Sequence, residues 1–236
     1  IRRNRLDLKQ DPVYAQELTE LSEVADPIEL FYELTPEQSD FYDQVINEYF
    51  GEDGKFRGAI YQPYTYEHRR ELSQLDEEGN FAYQQQRNLY EFMRRLLVKR
   101  FESSFGAFAK SVDNFIRIHS IVLNFIKKTG SYILDRSLIE KIWEEDEETI
   151  EKALQEFAER LSEKEKLDPR HDHIYVIEEF DEPKQFLDDI QSDLKLLKLI
   201  AYRVSALGLV SNDPKSERLK EAVWEILKTP ANTGES

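Results

Sequence analysis

The chain has 236 residues and a formal net charge of −16, from 48 acidic and 32 basic side chains, a balance that argues against a general nucleic-acid-binding surface. It contains no cysteine, which excludes disulfide frameworks, cysteine-ligated zinc, iron–sulfur clusters and thiol catalysis. Hydrophobic residues make up 40% of the chain, whereas glycine and proline number only 8 each, so we expect a mainly α, intracellular and cytoplasmic protein without a membrane span.

The first third of the chain predicts a helix over 13–23, a strand over 28–34 and a longer helix after Thr35. Thr35 is expected to cap this helix, with Pro36 at its first position and Gln38 completing a capping box. Gly51 is expected to end it. A further helix is predicted over 65–75. The buried face of the capped helix is expected to comprise Phe41, Tyr42, Val45, Ile46, Tyr49 and Phe50.

The segment 80–129 contains no proline and a single glycine, Gly106. A single helix of this length would span about 75 Å. We predict two helices instead, divided near 102–104, because Ser104 can act as an N-cap and Gly106 weakens the helix there. Gly130 is expected to end the second helix.

Beyond Gly130 the pattern predicts two short acidic helices over 131–170, around Trp143 and Phe157. A short strand follows over 173–177. Two amphipathic helices are predicted over 183–209 and 214–228, the second capped by Asp213. Together these elements predict a helical bundle with long antiparallel helices and one or two short β strands.

No catalytic or metal site is predicted. The sequence contains no G-x-x-x-x-G-K-[ST], no G-x-G-x-x-G and no E-x-x-H motif, which argues against a phosphate loop, a dinucleotide fold and a di-metal carboxylate bundle. His171 and His173 lie two apart in a predicted turn with no third ligand nearby. The acidic run 146–148 is interpreted as a solvated helix face, and His119 as a satisfied histidine in or at the rim of the core.

The central helices carry a net positive charge, opposite in sign to the net charge of the whole chain. Between 87 and 128 there are nine basic and three acidic side chains, a balance of +6. Arg95, Lys99 and Glu102 share one helical face. This pattern favours either a strip that contacts nucleic-acid phosphates or intramolecular pairing with acidic helices of the same domain, and the residues alone leave both open.

Four segments, taken in order, resemble Snf-type (sucrose-non-fermenting) ATPases of helicase superfamily 2, in particular their bacterial members. Residues 1–8 look like the arginine-rich segment that closes the first RecA-like lobe, and 28–38, continuing to Phe41 and Tyr42, are similar to the strand and helix that follow it. Residues 94–104 (R-R-L-L-V-K-R-F-E-S-S) look like the family's L-L-L-K-R-L-E-S-S segment. Residues 213–219 resemble its D-P-K-x-x-x-L helix.

The resemblance implies that this chain is the helical region between the two lobes of an ATP-dependent DNA or RNA helicase or translocase. The family's phosphate loop, acidic box and arginine finger lie outside the four segments, so the chain is expected to be inactive alone. It is expected to hold no cofactor, with ATP and magnesium bound by the parent enzyme. A start at Ile1 rather than Met is in keeping with a fragment.

The same resemblance divides the chain into four parts. Residues 1–27 would be the end of the first lobe and an entry linker, 28–130 a basic helical core, 131–212 an acidic protrusion, and 213–236 the helix leading to the second lobe. Expected partners are the flanking lobes, DNA or RNA through the parent, and a protein partner for the protrusion, with no membrane.

The expected site residues form two groups. The nucleic-acid phosphates are expected to contact Arg94, Arg95, Lys99 and Arg100, with Ser103 and Ser104 as hydroxyl donors or as a helix cap. The lobe interface is expected to include Arg2, Arg3, Arg5 and Lys215. The alternative function is a stand-alone acidic helical module that binds a protein partner, suggested by the net charge and the long amphipathic helices.

Overall fold

The computed structural model describes residues 26–67, 77–135 and 172–228. The chain divides into two units, 1–31 and 32–236, and the elements named here belong to the second. The helices are α1 Pro36–Asp43, α2 Tyr64–Glu67, α3 Glu77–Ser103, α4 Phe105–Thr129, α5 Pro183–Ala206 and α6 Pro214–Lys228, and the strands are β1 Ser131–Asp135 and β2 Asp172–Val176. The described residues are thus mainly helical with one two-stranded antiparallel sheet, which confirms the predicted fold class.

Helix α1 begins with the predicted capping box. Thr35 Oγ1 accepts the Gln38 N–H at 3.2 Å, and Gln38 Oε1 accepts the Thr35 N–H at 3.1 Å. The helix continues into a π-helical turn, Gln44–Tyr49, which the periodicity did not predict. Phe41 and Val45 are fully buried, so this face of the helix lies in the core as predicted.

The two long helices divide at the predicted residue. Ser104 Oγ accepts the Ala107 N–H at 3.2 Å and so caps α4. The ring of Phe56 lies 6.3 Å from the rings of both Tyr90 in α3 and Phe115 in α4, which shows that the two helices fold back along each other. Gly130 ends α4 in the left-handed region, with φ +67°, a conformation that favours glycine.

Three C-terminal elements confirm their predictions. Strand β2 covers Asp172–Val176, α5 begins at Pro183 and ends at Ala206, and α6 begins at Pro214. Asp213 caps α6, because its Oδ1 accepts the N–H groups of Lys215 at 3.0 Å and Ser216 at 3.4 Å.

Two predictions are wrong. Residues 26–35 form neither helix nor strand, so the strand predicted over 28–34 is absent. A run of alternating apolar and polar residues is not enough to form a β strand, because a strand also needs a neighbouring strand to pair with. Residues Ser131–Asp135, assigned to a helical region, instead pair antiparallel with β2, with Ser131 opposite Val176. Because the partner strand β2 is distant in sequence, no local pattern in residues 131–135 predicts this pairing.

Other predictions lie outside the described residues. These are the helix over 13–23, the part of the 65–75 helix beyond Glu67, and the acidic helices around Trp143 and Phe157. Within the 65–75 range the structure describes only the end of the short helix α2.

One hydrophobic cluster joins α1, α3, α4, α5 and both strands. The described parts of the 131–212 region, which are β1, β2 and α5, therefore pack in the same core as the helices of 28–130. Within the described ranges, no helix combines the length and apolar character needed to cross a membrane.

Candidate functional site

Arg94 lies beneath the predicted basic surface rather than on it. Its side chain is only 11% exposed and forms an ion pair with Glu91 at 2.6 Å. Its Nη1 donates to the Phe50 carbonyl at 3.0 Å. The guanidinium therefore ties α3 to the end of the α1 segment and balances the charge of Glu91.

Arg95 and Lys99 are exposed on the outer face of α3. The Arg95 side chain is 73% exposed, and its Nε lies 3.9 Å from the Glu91 carboxylate. No residue of the described ranges forms an ion pair with Lys99. Four residues of helix rise about 6 Å, so the two cations follow one another along one face. Because Arg94 already balances Glu91, Arg95 and Lys99 outnumber Glu102, the remaining acid of this face, and the face is positively charged on balance.

A shallow groove of about 370 Å³ runs along the same face, lined by Asn88, Glu91, Phe92, Arg95, Leu96 and Lys99. Phe92 is 54% exposed and was not among the predicted site residues. The signal was present in the spacing, because Met93, Leu97 and Phe101 form the buried seam of α3. Phe92 is rotated about 100° from Met93 and about 180° from Phe101, so it points away from that seam.

The remaining predicted phosphate-contacting residues lie at the end of α3. Arg100 is half-buried and Ser103 is exposed. Ser104 is engaged as the N-cap of α4, which confirms the capping role among its expected alternatives. Of the predicted set, the structure brings only Arg95 and Lys99 together on the open face of the helix.

Lys215 closes the C-terminal end of α3. Its Nζ donates to the carbonyls of Phe101 at 3.1 Å and Glu102 at 2.6 Å, which are among the carbonyls that a helix end leaves without partners. The ammonium also lies 4.1 Å from the ring centroid of Phe105 and 5.5 Å from that of Tyr32. Burial lowers the pKa of Lys215 below its ordinary value, and nearby acidic groups oppose this shift.

Helix α1 meets the same end of α3. The Phe101 ring lies 5.9 Å from Phe41 in an edge-on arrangement and 5.2 Å from Tyr42. We call the cluster of Tyr32, Phe41, Tyr42, Phe101 and Lys215 the α3 junction. Three of the four segments that carry the family resemblance meet in this junction. The fourth, with Arg2, Arg3 and Arg5, lies outside the described residues.

Asp193 is a buried acid that the sequence analysis did not single out. Its Oδ1 accepts the Arg57 N–H at 2.7 Å and its Oδ2 accepts the Ala59 N–H at 3.3 Å. Gly58 lies between them at φ +60°. Burial raises the pKa of Asp193 to about 7, although the backbone hydrogen bonds favour the charged form. The sequence feature that could have identified Asp193 is an acidic residue on the apolar face of α5. The role of its carboxylate is to hold the backbone of the 57–59 loop.

His119 is a core histidine, as expected, but only one of its nitrogens has a partner. Nδ1 lies 2.7 Å from the Phe115 carbonyl oxygen. Nε2 is buried without a partner, as is the hydroxyl of Tyr61. Burial lowers the pKa of His119 to about 4, so the imidazole is neutral at physiological pH. The described ranges hold no group of three or more potential metal ligands.

Comparisons of the chain with protein-family models, with curated proteins and with solved structures find no match.

Proposed function

We propose that this chain is the helical region between the two RecA-like lobes of a cytoplasmic, ATP-dependent helicase or translocase of the Snf type. In this role it sets the spacing of the lobes and contacts the backbone of DNA or RNA. The observation that supports the proposal is the α3 junction. Segments far apart in sequence resemble one family in the same order, and they also lie side by side in space.

The α3 junction provides a mechanical link between two parts of this region. Lys215 lies in the first turn of α6, the helix that would lead to the second lobe, and it donates directly to the end of α3. A displacement of α6 would therefore pull on α3 through these two charge-assisted hydrogen bonds. The basic face of α3 would move together with the lobe.

Arg95 and Lys99 supply the phosphate contacts in this proposal. Exposed cations without a strong intramolecular partner bind phosphates and release the counterions condensed on the nucleic acid. Arg94 acts differently, because it neutralises Glu91 from below and so removes the repulsion that this carboxylate would exert on a phosphate.

Hydrolysis belongs to the parent enzyme in this proposal. ATP and magnesium would bind in the flanking lobes, and the chain itself would hold no cofactor and turn over no ATP. Phosphoryl transfer needs a phosphate cradle and a magnesium ligand set, and the sequence carries no phosphate-loop motif.

The test is a binding titration of labelled single-stranded and duplex oligonucleotides at several salt concentrations. The double variant Arg95→Glu/Lys99→Glu is compared with Lys127→Glu/Lys128→Glu, which changes the net charge equally at exposed positions near the end of α4. We expect the first variant to lose binding and to flatten the salt slope by about 0.7 per removed contact for a single strand. The second is expected to stay close to the wild type.

Equal losses in both variants would show that net charge, rather than the α3 face, governs binding. Absence of binding by the wild-type chain at the lowest salt would remove the nucleic-acid role. In the parent enzyme, the α3 variant is expected to reduce nucleic-acid-stimulated ATP hydrolysis.

The alternative function is an acidic protein-interaction module. Helix α6 favours it, because no residue of this helix is buried. Its exposed apolar residues are Leu219, Val223, Trp224, Ile226 and Leu227. This alternative predicts no salt-dependent nucleic-acid binding, so the same titration separates the two functions.

A further inference from the structure

The exposed ring of Phe92 is explained neither by the core nor by phosphate contacts. It is more than half exposed on the outer face of a helix whose buried seam lies elsewhere. It lies within the groove on α3, next to both exposed cations. An exposed aromatic side chain that is flanked by cations is an arrangement used to bind anionic, π-faced ligands.

We propose that this groove binds single-stranded nucleic acid, with a base stacked on the ring of Phe92 and the adjoining phosphates on Arg95 and Lys99. The inference rests on the proposed function and narrows its substrate from nucleic acid in general to an unpaired strand.

The three side chains follow one another along the helix. From Phe92 the helix rises about 4.5 Å to Arg95 and about 10 Å to Lys99. A strand lying along the groove therefore meets a ring and then two successive cations. A stacking surface beside a positively charged track is the combination that single-strand-binding proteins use, and it tolerates any base because every base has a π face.

The ion pair of Glu91 with Arg94 makes the groove suitable for an anion. Glu91 lines the groove, and an unpaired carboxylate there would repel phosphate. Its contact with Arg94 at 2.6 Å balances that charge inside the protein. The groove is thus positive within a chain that is strongly negative overall, and this complementarity favours an anionic ligand.

The geometry favours an unpaired strand over a duplex. In a duplex the faces of the bases are covered by their neighbours, so a ring on the outside of a helix has no base face to contact. A duplex could engage Arg95 and Lys99 through its phosphates but would leave Phe92 without a partner. The contribution of the Phe92 ring to binding affinity therefore distinguishes an unpaired strand from a duplex.

A helical protein partner fits this groove less well. Docking of an amphipathic helix uses apolar anchors spaced over several turns. Among the residues lining the groove only Phe92 and Leu96 are apolar, and the others are polar or charged. An acidic peptide is kept as an outcome of the experiment.

The experiment measures the affinity of the full chain for oligothymidine of about 20 nucleotides and for a duplex of matched length. The variants are Phe92→Ala and Phe92→Trp, and Trp224→Ala serves as the control because it removes another exposed ring far along the sequence. A poly-glutamate competitor tests for an acidic peptide. Circular dichroism of each variant checks the fold.

We expect Phe92→Ala to weaken oligothymidine binding about 5- to 100-fold and to change duplex binding less than about twofold. The salt slope should stay unchanged because no charge is removed. Phe92→Trp should retain affinity and show tryptophan quenching when the strand binds. Trp224→Ala should bind both ligands as the wild type does.

Three results would overturn the inference. Unchanged oligothymidine affinity in Phe92→Ala, together with a loss in Arg95→Glu/Lys99→Glu, would retain the phosphate strip and reject stacking. An equal loss for the strand and the duplex would reject selectivity for unpaired bases. Displacement of the strand by poly-glutamate at lower concentrations than by nucleic acid would assign the groove to an acidic peptide. Failure of the wild type to bind any nucleic acid would instead remove the proposed function itself.

Discussion

Helices α3 and α4 are of similar length, 27 and 25 residues, but they take different places in the fold. Helix α4 buries a broad face with eleven buried residues between Phe105 and Ile126, including the polar residues Ser111 and His119. Helix α3 buries a narrow seam through Met93, Leu97 and Phe101 and exposes the opposite face. Length and charge therefore do not decide which of the two helices forms the core. The width of the apolar stripe does, and the narrow stripe of α3 leaves a face available for binding.

The largest difference in the effect of a substitution on stability is expected between Phe115 in α4 and Phe92 in α3. Phe115 is fully buried and its ring packs against those of Phe56 and Tyr61. Phe115→Ala should reduce the free energy of unfolding by about 3–5 kcal/mol, whereas Phe92→Ala should change it by less than about 0.5 kcal/mol. Denaturant unfolding of both variants measures the difference. Similar losses would mean that α3 is a core helix like α4.

The buried imidazole of α4 should make stability depend on pH. The folded pKa of His119 is lowered to about 4 from 6.5, so folding favours the neutral ring. Its contribution is therefore present above pH 6.5 and is lost as pH falls through 4, by about 3 kcal/mol in total.

The pH effect of His119 must be separated from that of Asp193. The pKa of Asp193 is raised to about 7 from 3.8, so its contribution grows as pH falls from 7 to 4 and opposes that of His119. The measurement is the difference in unfolding free energy between wild type and His119→Phe across pH 4–7. Since both proteins retain Asp193, the difference isolates the imidazole. A difference that stays constant with pH would contradict the assignment.

A smaller contrast is expected within α3, between neighbouring arginines. Arg94→Ala removes an ion pair and a hydrogen bond to the Phe50 carbonyl, and should cost about 1–3 kcal/mol of unfolding free energy. Arg95→Ala removes an exposed cation and should change stability by less than about 0.5 kcal/mol while weakening oligonucleotide binding. Thermal unfolding and the binding titration together test this division. An unchanged affinity in Arg95→Ala would place the phosphate contacts elsewhere.

Local signals in the sequence predicted the helices well. Thr35, Ser104, Asp213 and Gly130 mark helix ends through hydrogen bonds or backbone conformations that depend on adjacent residues, and the structure has each of these ends where it was predicted. The candidate site was only partly predictable. The charge pattern indicated Arg95 and Lys99 together with Arg94, because a list of charges does not show which side chain turns inward.

Apart from Phe92, the features that the sequence did not predict depend on residues far apart in the chain. Strand β1 exists because β2 lies beside it, whereas no strand in the part of the chain that the structure describes pairs with the segment 28–34. Asp193 holds the loop at 57–59, which is distant in sequence. The lobe-interface role of Lys215 stays a prediction, and its contacts with the Phe101 and Glu102 carbonyls and with the rings of Phe105 and Tyr32 link residues far apart in the chain. These pairings arise from tertiary packing and leave no periodicity to detect.

The contact of Lys215 with α3 also has an evolutionary consequence. Its acceptors are backbone carbonyls of Phe101 and Glu102, which any residue at those positions would provide. Side chains there can therefore change without loss of the hydrogen bonds. An insertion of one residue in α3 would rotate that helix end by about 100° and move it about 1.5 Å, taking the carbonyls away from the ammonium. Related chains should thus vary in the composition of α3 while keeping its length.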